Sequence, residues 1–193
     1  MAAGTGKPKT LVHNNIPLGG GVAAQVSIPA RLAREARRRG LDLESLVLEA
    51  VAEKLSSDPS EELANRLSIA GHMLVRAREE LEKGDAVQAS EKIYKAVEEA
   101  LKVLACIHSL EECERARREG GWWSRLLARE ARRLSRILGA PWIAEAWAEA
   151  FDLHVHGFHE HVYSVDDIAP VLPLAERLVK LAGKKLRETP HQA

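Results

Sequence analysis

The histidines of residues 151–161 are the densest group of side chains in this chain that are capable of catalysis or metal binding. The stretch reads FDLHVHGFHEH and holds four of the eight histidines of the sequence. Imidazole nitrogens bind transition metals and exchange protons near neutral pH. The stretch therefore poses a choice between a metal site, acid–base chemistry and histidines that pack within a helix bundle.

On an α-helix at about 100° per residue, these histidines divide between two faces. His154 and His161 share a stripe with aromatic side chains, which favours packing in a core or interface. Asp152, His156 and His159 lie nearly opposite at i, i+4 and i+7, and a carboxylate with two imidazoles suits zinc or iron. We take these three as candidate metal ligands, but we favour packing, and we predict no metal and no other cofactor.

A row of arginines forms the strongest local basic patch in a chain whose 28 basic and 28 acidic residues balance. Its members recur at i, i+4, i+7 and i+11: Arg125, Arg129, Arg132 and Arg136. Arginines on one helix face bind phosphates independently of base sequence. Trp122 and Trp123, at the start of the row, would stack on a base. The alternative is a solvated face that pairs with glutamates of neighbouring helices, with the tryptophans in the core.

Two other segments suggest binding. In the segment 84–105, Lys92 and Lys95 lie among acidic residues and would contact a nucleotide phosphate if they lined a cleft. A surface lattice of ion pairs is the alternative that we favour. Residues 25–55 resemble a ribbon–helix–helix module, with a short extended stretch at 25–29 followed by two helices. The first of these helices carries Arg31, Arg34, Arg37, Arg38 and Arg39. Such modules bind DNA through strands paired across a dimer.

Hydrophobic periodicity predicts an all-α protein, an up-and-down helical bundle with an N-terminal two-helix attachment. Helix boundaries are indicated by Asp58-Pro59, by Gly84 followed by Asp85, by Pro141, and by Ser164 with Asp167. A short charged connection is expected before residue 122. Gly157 interrupts a helix at a cost of about 1 kcal/mol relative to alanine, which favours close approach by another backbone. The expected organisation is a disordered arm (1–24), an N-terminal helical hairpin (25–57), the bundle (58–186) and a tail (187–193).

Composition narrows the class of protein. No apolar run approaches the roughly 20 residues that a membrane span needs, and no signal peptide is evident at the N-terminus. The two cysteines, Cys106 and Cys113, have neither CxxC spacing nor the density of a disulfide framework. We therefore expect a soluble, cytoplasmic protein. Its charge comes mainly from Arg and Glu, with few Asn and Gln, a bias that points to a hot habitat.

Three blocks of sequence together resemble the archaeal PaREP repetitive protein family. They are GDAVQASEKIYKAVEEALKVLA (84–105), GWWSRLLAREARRLSRILG (121–139) and WAEAFDLHVHGFHE (147–160). The segment IPARLAREARRRGLDLESLVLEAVAEKLSSDP (28–59) also resembles the leader of that family, so the resemblance covers about residues 26–182. It implies a helical protein related to HEPN domains, which are small helix bundles that commonly form dimers.

The resemblance also implies a range of functions. Some HEPN domains are RNases that carry an arginine, a gap of four to six residues and a histidine, whereas others partner nucleotidyltransferases or bind nucleotides without cleavage. Arg66 and His72, with five residues between them, have that spacing and are the candidate catalytic pair. No arginine precedes the histidines of 151–161 at the same distance. The PaREP family itself has no assigned activity.

From these observations we favour a non-catalytic module that binds nucleotides, RNA or a partner protein, and that forms a homodimer. The binding residues would be the arginine row with Trp122, Lys92 and Lys95. The alternatives are an enzyme, either an RNase-like one or a metal-dependent one, and a ribbon–helix–helix DNA-binding protein that acts through residues 25–55.

Overall fold

The computed structural model describes residues 16–18, 22–24, 26–56, 58–119 and 121–189. It confirms the predicted all-α class. The helices are α1 (Ala30–Arg38), α2 (Leu43–Leu55), α3 (Pro59–Lys83), α4 (Ala86–Ile107), α5 (Glu111–Glu119), α6 (Ser124–Ile137), α7 (Trp142–Asp152), a π-helical segment (Leu153–His159), α8 (Val165–Ile168), a 3₁₀ turn (Ala169–Val171) and α9 (Leu172–Glu188). The chain divides into two compact units, residues 1–47 and 48–193.

The N-terminal unit contains a short β-hairpin before its helices. Ile16–Leu18 (β1) pairs antiparallel with Val22–Ala24 (β2), within the stretch that the sequence predicts to be a disordered arm, and the rest of that stretch lies outside the described residues. The extended stretch expected at 25–29 is not a strand: Val26–Pro29 has no regular structure, and Gln25 lies outside the described residues. The ribbon–helix–helix alternative therefore lacks, among the described residues, the strand on which it depends.

Most predicted helix boundaries are confirmed, because local hydrogen bonds determine them. The Asp58 carboxylate accepts hydrogen bonds from the backbone N–H groups of Ser60 and Glu61 at the start of α3. Gly84 ends that helix in the left-handed conformation (φ +76°), which glycine adopts without steric cost. Asp85 caps α4, and Ser164 with Asp167 forms a reciprocal capping box at α8.

The second unit is built around α4, which packs against α3, α6, α7, α9 and the π segment. Buried apolar side chains from these elements form one core, with fully buried members such as Ile93, Leu101, Leu127, Ile143 and Leu178. Because other elements cover α4 on several sides, most of its residues are buried, including charged ones. A helix in this position has little solvated face, unlike the amphipathic helices at the edge of the bundle.

The connection between α4 and α6 differs from the sequence-based expectation. The stretch expected to be a charged linker contains a helix, α5, with its acidic residues in the first turn and Arg117 and Arg118 in the last, an arrangement that favours the helix dipole. Cys113 of α5 forms a disulfide with Cys106 at the end of α4. The spacing of the cysteines gave no indication of this bond, since the pairing depends on a turn between the two helices in which Ser109 is left-handed (φ +49°) and the Leu110 N–H donates to the Ala105 carbonyl.

Within the described residues, none of the helices combines the length and the apolar character that crossing a membrane requires.

Candidate functional site

The predicted arginine row is an exposed face of α6. Leu126, Leu127, Ala131 and Leu134 bury the opposite face of the helix in the core. This leaves Arg125 and Arg129 with 65% and 56% of their side chains exposed, and Arg132 and Arg136 are exposed as well. The predicted spacing is therefore confirmed as a single helix face that is open to solvent.

The arginines of α6 differ in how firmly they are held. Arg133 donates two hydrogen bonds to the Glu112 carboxylate, at 2.7 and 3.0 Å, and Arg129 lies 3.6 Å from the same group. Arg125 is 3.8 Å from Glu119. Arg132 and Arg136 form no ion pair among the described residues. The face thus combines anchored guanidinium groups with two that are available to an anion.

Two concave surfaces adjoin this face. A cleft of about 330 Å³ is lined by Arg129, Arg132, Arg133 and Arg136 together with Glu111. A larger groove of about 640 Å³ runs between α6 and α7 and reaches the π segment. Arg132 lines both, so the basic cleft and the groove meet at this side chain.

The floor of the larger groove is aromatic. Trp147 and Phe151 of α7 stack with their ring centroids 5.6 Å apart, and Phe151 is 38% exposed. Arg125 and Arg132 of α6 line the groove, together with Asp152 and His156. Because Trp147 is only 6% exposed, the ring that the groove offers to a planar ligand is that of Phe151, flanked by guanidinium groups that would pair with phosphates.

The tryptophans at the start of α6 have different environments. Trp122 is partly buried and packs against the core. Trp123 is 50% exposed, with the Arg125 guanidinium over its ring at 5.5 Å from the centroid. Of the two tryptophans for which the sequence suggested base stacking, Trp123 is therefore the more accessible.

A buried carboxyl group lies beneath the arginine face. Glu130 of α6 is fully buried, and neither of its side-chain oxygens has a hydrogen-bond partner among the described residues. Burial, followed by the charge of Glu112, raises its pKa to about 8. At Glu112 burial opposes ionisation too, but the hydrogen bonds from Arg133 outweigh it and lower the pKa of that carboxyl. Of this pair, therefore, Glu112 is ionised and Glu130 is protonated at neutral pH.

The histidine segment is π-helical rather than α-helical, which changes the faces that the sequence predicted. His154 donates from Nδ1 to the Glu91 carboxylate of α4 at 2.7 Å and stacks on the Tyr94 ring at 4.1 Å. Its Nε2 lies 3.2 Å from Nε2 of His159. Phe158 is buried nearby, while His161, with a φ of +56°, follows the segment in the left-handed region and is exposed. The predicted packing role fits His154, but His161 does not share its buried stripe.

The predicted metal ligands do not converge on one point. The His156 ring lies between two carboxylates, with Nδ1 2.7 Å from Glu160 and Nε2 3.7 Å from Asp152. The hydrogen bond to Glu160 raises the pKa of His156. His159 instead faces His154, and burial lowers the pKa of His159. The trio of Asp152, His156 and His159 fails as a metal site because the extra residue in each π turn rotates His159 away from the other two.

The charges of α4 form a buried network rather than the surface lattice that we favoured from the sequence. Lys95 donates to Glu49 (2.9 Å) and Glu98 (2.8 Å), and Lys102 donates to Glu98 (3.2 Å) and Glu99 (2.5 Å). Only 1% of Lys92 is exposed. Lys92 and Lys95 are thus buried or held by carboxylates, and we do not include them in a binding surface.

Three carboxylates of this network, Glu49, Glu98 and Glu99, lie close enough together to hold a cation. Lys95 and Lys102 pair with these carboxylates, and Arg66 pairs with Glu99 as well, so three cations balance the three negative charges. The group is therefore a set of ion pairs, and we assign no metal to it.

The candidate RNase pair is not assembled. Arg66 is engaged by Glu62 (2.9 Å) and Glu99 (3.0 Å), and His72 is buried farther along α3. Six residues apart on one straight helix, the two side chains leave the axis about 120° apart. They cannot act together on one phosphate.

Comparisons with known proteins agree with the sequence resemblance. Residues 65–179 match the model of the archaeal PaREP1/PaREP8 family. A crystal structure of a Sulfolobus solfataricus protein is similar at 34% identity with a TM-score of 0.56, covering 61% of this chain and 96% of that one. A solution structure of the same structural-genomics target matches at 33% identity and a TM-score of 0.56, covering 65% of this chain and 96% of that one. None of the curated proteins matches this chain.

Proposed function

Since the chain belongs to the archaeal PaREP1/PaREP8 family, whose name states no activity, we propose its function from the groove between α6 and α7. The protein binds single-stranded RNA in this groove and does not cleave it. The observation that carries the proposal is that the exposed ring of Phe151, stacked on the buried Trp147, shares one groove with Arg132, which has no ion pair among the described residues. Stacking surfaces beside cations are the usual means of binding single strands without reading their sequence.

The dimensions and charge of the site support a nucleotide chain rather than a single small anion. The groove of about 640 Å³ meets the arginine cleft of about 330 Å³ at Arg132. A base stacked on Phe151 would therefore leave its neighbouring phosphates near the arginine row. Arg129 and Arg133 are oriented by Glu112, so part of the phosphate-binding surface is formed before the ligand arrives.

We propose binding without cleavage because of the side chains that line the groove. Asp152 and His156 line the far end of the groove, but His156 is held between two carboxylates that favour its protonated form. Arg66 and His72, the pair with the RNase spacing, do not line it.

We further propose a relationship to HEPN domains, a homodimer and a cytoplasmic location. The disulfide is compatible with that location, because intracellular proteins of hyperthermophilic archaea are rich in disulfides.

The test is fluorescence anisotropy with a labelled single-stranded RNA of mixed sequence, measured over a range of salt concentrations. We expect micromolar or tighter binding at low salt, with the logarithm of the affinity falling by about 0.7 per phosphate contact for each tenfold rise in salt. Phe151→Ala should weaken binding by about 5- to 150-fold, the range for loss of one stacked base. Arg132→Gln should weaken binding and reduce the salt slope.

The matched control is Arg78→Gln, since Arg78 is an exposed arginine on α3 that pairs with Glu176 and does not line the groove. It should bind RNA like the unmodified protein. Millimolar affinity at low salt would refute RNA binding, and equal losses from Arg78→Gln and Arg132→Gln would refute the groove as its site. Sedimentation of the unmodified protein tests the dimer.

A further inference from the structure

The π-helical segment creates a contact between two imidazoles that an α-helix would not allow. His154 and His159 are five residues apart, and on an α-helix their side chains would leave the axis about 140° apart. In a π-helix, hydrogen bonds join residues five apart, so that a residue lies over the one five positions before it. The backbone N–H of Glu160 donates to the carbonyl of Val155 in this pattern. As a result, Nε2 of His154 lies 3.2 Å from Nε2 of His159.

We propose that His154 and His159 bind a transition-metal ion through these two Nε2 atoms, with Glu91 holding His154 from behind. Two imidazole nitrogens that each lie 2.0–2.1 Å from a tetrahedral zinc ion are about 3.3 Å apart. The observed separation of 3.2 Å therefore matches one edge of such a tetrahedron without movement of the backbone. This site is independent of the RNA-binding proposal.

The tautomer of His154 supports metal binding at Nε2. The Glu91 carboxylate faces Nδ1 at 2.7 Å. An ionised carboxylate only accepts hydrogen bonds, so in the singly protonated imidazole Nδ1 carries the proton, and Nε2, which lies 3.2 Å from Nε2 of His159, has the lone pair. Without metal, His159 donates its Nε2 proton to that lone pair. For metal binding, the proton of His159 moves from Nε2 to Nδ1 by exchange with water, and both Nε2 atoms become donors to the ion.

Side chains of α4 fix the position of the His154 imidazole, as metal binding requires. Glu91 is 3% exposed and belongs to α4, the helix around which the second unit is built. The ring of Tyr94, one turn farther along α4, stacks on the imidazole with an interplanar angle of 24°. A carboxylate on the far nitrogen fixes the tautomer of a metal-ligating histidine and raises its basicity. Glu91 would thus be a positioning residue and not itself a ligand.

The donor set and its exposure define the class of metal. Imidazole nitrogens favour Zn²⁺, Co²⁺, Ni²⁺ and Cu²⁺ over Mg²⁺ or Ca²⁺, which prefer oxygen ligands. His159 is exposed, so the ion would enter from solvent on that side and water would complete its coordination. A site with two protein ligands and open positions resembles a catalytic or exchangeable site more than a closed structural one.

The first test is isothermal titration of tag-free, metal-stripped protein with Zn²⁺, with Co²⁺ absorption as a report of coordination geometry. We expect one ion per chain and a visible Co²⁺ spectrum of tetrahedral intensity. His159→Ala should abolish both. His156→Ala is the matched control, since it removes a neighbouring imidazole of the same segment that points to Glu160 and Asp152, and it should leave binding intact.

The second test separates positioning from folding. Glu91→Gln keeps the shape of the side chain and should lower Zn²⁺ affinity about 10- to 100-fold, the usual cost of losing such a carboxylate. Circular dichroism checks that the variant is folded, and NMR of the imidazole nitrogens reports the tautomer of His154. The proposal is overturned if no stoichiometric ion binds, if His156→Ala abolishes binding as His159→Ala does, or if folded Glu91→Gln binds Zn²⁺ with undiminished affinity.

Discussion

Helices α4 and α6 carry similar numbers of charged side chains and use them in opposite ways. On α4 the charges are buried and paired, as at Lys102, whose side chain is 6% exposed and lies against Glu98 and Glu99. On α6 the arginines face solvent, and Arg136 has no ion pair among the described residues. The difference shows that the position of a helix in the bundle, rather than its charge pattern, decides whether its charges are buried in ion pairs or exposed to solvent.

The physical cause is the cost of desolvation. A charge removed from water loses several kcal/mol of hydration and is tolerated only when opposite charges surround it closely. Burial opposes ionisation of Glu98, yet Lys102 and Lys95 outweigh it and lower its pKa to about 2. On α6 the guanidinium groups keep their water and are affected by salt, so they are free to exchange water for phosphate.

The largest expected effect comes from breaking the α4 network. Lys102→Met leaves the Glu98 and Glu99 carboxylates buried with one cation fewer between them, and we expect a loss of about 3–5 kcal/mol in the free energy of unfolding. Arg136→Met on α6 removes a solvated charge and should change that free energy by less than about 0.5 kcal/mol. Urea denaturation of both variants measures the contrast. Equal losses in the free energy of unfolding would show that the buried charges of α4 matter no more for stability than the exposed charges of α6.

Glu130 sharpens the comparison, because it is the one charged residue of α6 that lies on the buried face of the helix. Its pKa is raised to about 8 in the folded state, above the 4.5 of an exposed glutamate. Below pH 4.5 the carboxyl is protonated in both states. As the pH rises from 4.5 to 8 the unfolded state ionises first, so the stability that the protonated group contributes is progressively lost.

We therefore expect the unmodified protein to lose of the order of a few kcal/mol of stability across that window from this group. Glu130→Gln cannot ionise and should flatten the decline between pH 4.5 and 8. The measurement is urea denaturation at several pH values. Glu112→Gln is a useful companion, since it removes the neighbouring charge that, after burial, contributes most to the raised pKa of Glu130. An unchanged pH slope in Glu130→Gln would contradict a buried protonated carboxyl.

The ends of the helices were predictable from the sequence, whereas the environments of several side chains were not. Asp58, Gly84 and Asp85 act through hydrogen bonds and backbone angles within a few residues, so their roles depend only on local sequence. Burial of Lys92 and Lys95 depends on which helices surround α4, and charge spacing does not report that. The arginine face of α6 was predictable because its opposite face is plainly apolar.

The histidine segment shows a different limit. The sequence-based assignment of His154 and His159 to opposite faces assumed 100° per residue, and the π-helix violates that assumption. The pairing of Cys106 with Cys113 was missed for a related reason, since it depends on a left-handed turn at Ser109 that no spacing rule predicts. Gly157 was the one local sequence signal of unusual packing in this segment, because glycine within a helix lowers stability and close packing must offset that cost.

That signal leads to the smallest effects that we predict. A Cβ atom at Gly157 would lie 2.2 Å from Oγ of Ser90 on α4, so Gly157→Ala must displace the π segment or α4 and should cost about 1–3 kcal/mol. The approaching group is a side chain rather than the backbone that the sequence suggested. Gly71, inside α3, has nothing within 4 Å of its Cβ position, and Gly71→Ala should stabilise the protein by up to about 1 kcal/mol through helix propensity alone. Thermal unfolding of the two variants should thus give shifts of opposite sign. Because the π segment sets the distance between His154 and His159, Gly157→Ala should also disturb their contact, visible as changed imidazole NMR signals that Gly71→Ala leaves in place.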